Sequence, residues 1–183
     1  MSSDPGWIVE DLSPSHLWLR IARPNWRDPL DPTYSGARGG RWNPPGAFPT
    51  LYFNGDLDTA RFNLRRFAHL QGYEPEDLLE ESAPILVEAT LPRDQRVVDA
   101  HSAAGLTALG LPSSYPLDRE GETVGWESCQ PVGRAVQEAG FRGIHGRSAE
   151  VPHRKGRELA WFPATQRSRA HAVRLLAFAE WYW

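Results

Sequence analysis

Cysteine is nearly absent from this chain. Cys129 stands alone, so no internal disulfide can form, and such usage suits a reducing compartment. Nothing in the sequence marks Cys129 as a nucleophile, and a small buried residue is the better reading. Metal-ligand spacing is missing too. The six histidines, at 16, 69, 101, 145, 153 and 171, form no close pair with cysteine or carboxylate support, which argues against a zinc site. No apolar run approaches the length that spans a bilayer. The first residues, MSSDPGW, lack the basic and apolar regions of a signal peptide, so the expectation is a cytoplasmic protein without membrane contact. A net charge of −3 and a pI near 6.1 argue against a nucleic-acid binder held by a basic face. The serine-hydrolase elbow G-x-S-x-G does not occur.

What the chain does have is aromatic mass. Eight tryptophans and an aromatic share of 11% assign much of the packing to large rings. A length of 183 residues is that of one domain with a substantial core. Residues 1–15 read as a loose polar arm and 16–183 as the domain. Alternation predicts strands at His16 to Ala22, Thr50 to Phe53, Ile85 to Leu91, Arg96 to Asp99, Gly143 to Arg147 and Glu158 to Phe162. A helix after Asp56 carries an apolar stripe at Leu57, Ala60, Leu64 and Phe67, with Asp56 or Asp58 as its cap. A second begins near Ser128, turns Val132, Ala135, Val136 and Ala139 inward, and closes at Gly140. Asn25 to Ser35 reads as a surface loop, Glu74 to Ser82 as a short acidic helix, and Leu111 to Gly125 as an irregular segment that could cover a site.

The densest chemistry lies between Gly36 and Leu64. There a glycine-rich turn bears Arg38 and Arg41, and Trp42-Asn43-Pro44-Pro45 leads into the strand of Tyr52. Glycine lets backbone approach a ligand, each arginine can grip a phosphate in a bidentate fork, and Trp42 and Tyr52 offer faces to a flat ring. The plainer alternative is an ordinary loop beside a core tryptophan. Since the glycines precede the strand, they are not a dinucleotide fingerprint. Arg20, amid apolar neighbours, needs a partner. A structural ion pair and a second phosphate ligand are equally open. Ser148 is a turn serine or a ligand hydroxyl.

The string GGRWNPPG, followed by LYF and a helix, resembles the RES-domain family. CQPVGRAVQEAGFRGIHGRSA is similar to that family's Q…G…G-x-x-G-I…S-A segment, and GRELAWF to its closing strand. The resemblance runs from Trp18 to Phe162. It implies an α+β fold, a single compact domain of short mixed strands with flanking helices, akin to ADP-ribosyltransferases and holding NAD in a cleft. It also implies a toxin of a bacterial toxin–antitoxin pair that cleaves the nicotinamide–ribose bond of NAD, by phosphorolysis, hydrolysis or ADP-ribosyl transfer. The partner would be a small helix-turn-helix antitoxin. On this chain the family arginine falls on Arg41 and the serine on Ser148, with Tyr52 beside them. Arg20, Arg38, Gly40, Trp42, Asn43 and Gln130 make up the expected NAD contacts.

One position departs from the family. Where the helix after the LY strand should carry a glutamate that stabilises charge on the ribose, this chain has Asn63. Losing that charge costs about two to four kcal/mol of barrier. Glu127 is the first candidate to replace it and Glu158 the second. If neither does, Asn63→Glu should raise turnover, and the alternative is a degenerate scaffold that binds a nucleotide or a partner without chemistry. The final Trp181-Tyr182-Trp183 reads as the close of the core on a strand, or else as an exposed patch for an antitoxin or a second protomer.

Overall fold

Among the described residues are eight strands: Val9–Asp11 (β1), Trp18–Ala22 (β2), Leu51–Asn54 (β3), Ile85–Thr90 (β4), Arg96–Ala100 (β5), Gly143–Arg147 (β6), Arg157–Trp161 (β7) and His171–Leu176 (β8). The same residues hold five α-helices: Thr33–Arg38 (α1), Leu57–Gln71 (α2), Ala103–Ala108 (α3), Trp126–Glu138 (α4) and Phe178–Trp181 (α5). The computed structural model describes residues 6–149, 151 and 155–183; His153 lies outside them. The strands form one mixed sheet in the order β1-β5-β6-β7-β3-β2-β4-β8. Among the described residues only the β5–β6 pair is parallel. The α3–α4 crossover joins that pair, as a parallel connection requires.

Alternation sorts the side chains onto the two faces. On one face Trp18, Leu51, Phe53, Val87, Val97, Leu159 and Trp161 meet in a single apolar cluster. The other face carries two separate helical patches. Val98, Leu106, Cys129, Val136, Ile144 and Ala160 pack under α3 and α4. Leu19, Ala60, Leu64, Leu86, Leu176 and Trp181 pack under α2 and α5. Between the patches runs a seam above β3, β7 and the end of β6.

Local rules explain most boundaries. Asp56 caps α2 by accepting from the Thr59 N–H at 2.7 Å, and Gly72 ends it at φ 81°. Gly140 follows α4 at φ 86°. Other segments differ from the sequence reading. Val9–Asp11, expected to be part of a loose arm, pairs with β5 as an edge strand. Helix α1 begins inside the expected loop. The acidic helix shrinks to a 3₁₀ turn at Pro75–Asp77, because Glu and Asp without an apolar stripe give a helix nothing to bury. Helix α4 starts behind Gly125, ahead of Ser128. In α2 the buried face runs through Thr59, Ala60, Leu64 and Ala68, leaving Phe67 exposed.

The C-terminal aromatics close the core from a short helix instead of a strand. Trp181 and Tyr182 are buried, whereas Trp183 is 68% exposed. The Trp181 indole also donates to the Pro84 carbonyl at 3.1 Å. Trp181→Ala should therefore cost about 3–5 kcal/mol, and Trp183→Ala no more than about 0.5 kcal/mol. Urea unfolding of the two variants checks this; equal effects would contradict the packing.

Candidate active site

The seam opens as a cleft of about 370 Å³, lined by Arg20, Arg41, Tyr52, Asn54, Asn63 and Glu158 among others. Strand register places several of these residues. Asn54 on β3 lies opposite Glu158 on β7, and Glu158 lies opposite Gly146 on β6. Asn63 descends onto them from the second turn of α2.

Four polar side chains then converge. The Asn63 amide donates to Glu158 Oε1 at 2.7 Å and to Asn54 Oδ1 at 2.6 Å. Ser148, fully buried, donates to the same Glu158 oxygen at 2.7 Å and lies 3.4 Å from Asn63 Oδ1. Among the described residues Glu158 is the one carboxylate lining this cleft. Glu127 lies elsewhere, exposed in the first turn of α4 on a groove with Pro44, Gln130 and Arg134. The carboxylate brought to Asn63 is thus the second sequence candidate, not the first. Asn54 was not foreseen at all, since nothing at a strand end marks a residue that pairing will place beside a carboxylate.

The arginines divide by position. Arg41 lines the cleft and donates to the Val124 carbonyl at 2.8 Å. Burial works against its charge, but the nearby Tyr115 hydroxyl, Cys129 thiol and Glu158 carboxylate outweigh that and hold its pKa above the ordinary value. Arg20 is buried. It donates to the Pro29 and Tyr52 carbonyls at 2.8 and 3.1 Å and lies over the Trp26 ring. Burial lowers its pKa to about 10, against the pull of Asp28 and Asp31. It therefore remains a cation at neutral pH, held by carbonyls. Arg38 ends α1 exposed, over Tyr34, and does not line the cleft.

The Gly40–Asn43 turn is a support for Arg41. Tyr52 donates its phenol hydrogen to Asn43 Oδ1 at 2.7 Å and accepts the Trp42 N–H at 2.9 Å. Burial raises the pKa of this phenol, keeping the hydrogen in place. Asn43 donates onward to the Ser35 carbonyl, and Gln130 to that of Gly40. A Cβ at Gly40 would stand 2.5 Å from the Tyr52 oxygen, so only glycine permits the approach. Trp42, read as a stacking face, is buried against Tyr115 in the core beneath α3 and α4. Tyr52→Phe strands the Trp42 N–H and the Asn43 carbonyl. It should cost about 1–3 kcal/mol in denaturant titration; unchanged stability would show that the clamp contributes nothing.

The chain is similar to proteins of known function. The NAD(+) phosphorylase MbcT, from Mycobacterium tuberculosis and from Mycobacterium bovis, is 31% identical over 143 residues, spanning 76% of this chain and 70% of the relative. The crystal structure of the M. tuberculosis MbcT-MbcA toxin-antitoxin complex superposes with a TM-score of 0.75 at 23% identity, covering 95% of this chain and 91% of that one. Residues 17–181 match the RES domain, and with that match over nearly the whole chain the protein belongs to the RES domain family.

Proposed function

We propose that this protein consumes NAD, breaking the nicotinamide–ribose bond with inorganic phosphate as acceptor, and acts as the toxin of a toxin–antitoxin pair. The observation that carries the reading is the meeting of Arg41, Asn63 and Glu158 in one cleft, with buried Ser148 bonded to Glu158 beneath it, in a chain related to an NAD(+) phosphorylase. A phosphate oxygen forms the new bond to the anomeric carbon as the C–N bond breaks. Nicotinamide leaves neutral with the electron pair, and ADP-ribose bearing the phosphate is the second product.

Each residue then has a task that its chemistry suits. Arg41, with Arg20 behind it, faces the anionic groups. Glu158 takes the role that the family places on α2. Its carboxylate accepts from ribose hydroxyls and stabilises the positive charge that builds on the sugar. Asn63 and Ser148 are positioning residues, aiming Glu158 through its Oε1. Space continues beyond the cleft into a groove of about 680 Å³ that shares Ile21, Asn63 and Phe67 and is walled by Trp26 and Tyr34, room for the remainder of a dinucleotide. The partner is a small helix-turn-helix antitoxin. The likeness to a toxin held in a toxin–antitoxin complex supports an antitoxin partner, its helix-turn-helix type follows from the family resemblance, and co-purification with the product of the neighbouring reading frame tests both.

Purified protein incubated with NAD, with and without phosphate, should yield nicotinamide and phosphorylated ADP-ribose only when phosphate is present, as resolved by mass spectrometry. NAD left intact in both cases, although calorimetry records its binding, would return the protein to the degenerate-scaffold reading. Glu158→Gln should lower kcat about a hundred- to a thousand-fold. Asn63→Glu should also slow the enzyme, because two carboxylates would share one hydrogen-bonding site. Combining the two moves the charge across the seam, and should recover at least about tenfold over Glu158→Gln alone. Wild-type turnover in Glu158→Gln would remove Glu158 from the mechanism.

A further inference from the structure

On the face opposite the cleft, three side chains far apart in sequence come together. His145 alternates along β6 with Ile144, which packs under the helices. It therefore leaves the sheet on the other side, where it meets the Trp18 ring edge-on. Its Nδ1 lies 2.8 Å from Glu10 Oε2, while His101 Nε2 lies 2.7 Å from Glu10 Oε1. The two rings are 4.7 Å apart between centroids. One ligand atom from each residue falls within 4.8 Å of the others. Asp99 Oδ1 stands 3.5 Å from His101 Nε2.

From this geometry we infer that Glu10, His101 and His145 form a binding site for a divalent transition-metal cation, with Zn²⁺ its best-matched occupant. Two imidazoles and one carboxylate are the ligand set that zinc takes in three-ligand sites, leaving a fourth position for water. Moving each proton to the far ring nitrogen turns the nitrogen facing Glu10 into a lone-pair donor. Bonds of about 2.0–2.1 Å in a tetrahedron hold ligand atoms about 3.3 Å apart. The two histidine–carboxylate contacts must therefore open by about half an ångström, while ligand atoms now up to 4.8 Å apart draw together by side-chain rotation.

The surroundings favour occupancy. His101 is held at its backbone, donating its N–H to Asp99 at 2.6 Å and accepting from Arg147 at 2.8 Å. Glu10 is held by the β1–β5 pairing. A cavity of about 360 Å³ beside the cluster is lined by Glu10, Asp11, His16, Asp56, His145 and Arg157 among others. Its three carboxylates outnumber its one arginine, and His16, packed on Trp18, lines the same cavity. A bound ion would cross-link β1 to the end of β5 and to β6, at the edge of the sheet where the chain enters it.

Chelator-treated full-length protein titrated with zinc chloride should bind one equivalent with a Kd below about 10 µM and melt at a higher temperature when loaded. Cobalt in its place should give intense tetrahedral d–d absorption. Glu10→Ala and His145→Ala should weaken zinc binding at least about tenfold, while His69→Ala and His171→Ala leave it unchanged. His145→Gln, which retains a hydrogen bond to Glu10, keeps the test valid if the alanine variants unfold. Absence of saturable binding, or equal affinity in wild type and His145→Gln, would overturn the site.

Discussion

The pairing of β3 with β7 is the constraint on which the candidate cleft depends. It sets Asn54 opposite Glu158, and the pairing of β7 with β6 sets Glu158 opposite Gly146, one step from the strand end that delivers Ser148. A one-residue slip in either register would turn Glu158 to the other face, into the apolar cluster of Phe53, Leu159 and Trp161. That cost protects the register. A dry core on one face thus holds a carboxylate in place on the other.

The site lies where the helical cover is interrupted. Helices α3 and α4 bury one half of the outer face, and α2 and α5 the other. The seam between them is the place where polar groups can be partly withdrawn from water without being entombed. There a carboxylate is worth more against a developing cation than it would be in open solvent. Asn63 and Ser148 satisfy one Glu158 oxygen, and Arg41 nearby is held charged. An amide at position 63 is well suited to this arrangement, because a carboxylate there would face the one already supplied by β7.

The residues around Arg41 show how a loop that looks like a ligand grip can be a scaffold. Tyr52, Asn43 and Gln130 spend their polar atoms on the Gly40–Asn43 turn. Trp42 packs inward. Only the guanidinium of Arg41 is left to face the cleft from this turn, and it sits on a rigid base, which suits the anion-holding role proposed for it.

Much of this was legible in the chain itself. Alternation located β2 through β7, the 3.6-residue period and Asp56 located α2, and the GGRWNPPG string pointed to the RES family and to NAD. Arg20, Arg41, Tyr52 and Asn63 were all picked out, and all four line the cleft. These signals are local, carried by residues within one turn or one strand of each other. Strand β1, helix α1 and the placement of Trp42 were not legible, because each depends on what a distant segment covers. Nor was the choice between Glu127 and Glu158, or the meeting of Glu10 with His101 and His145. Spacing along the chain is silent on such meetings. They are decided by which strands become neighbours and in which register, a consequence of burying the whole sheet at once.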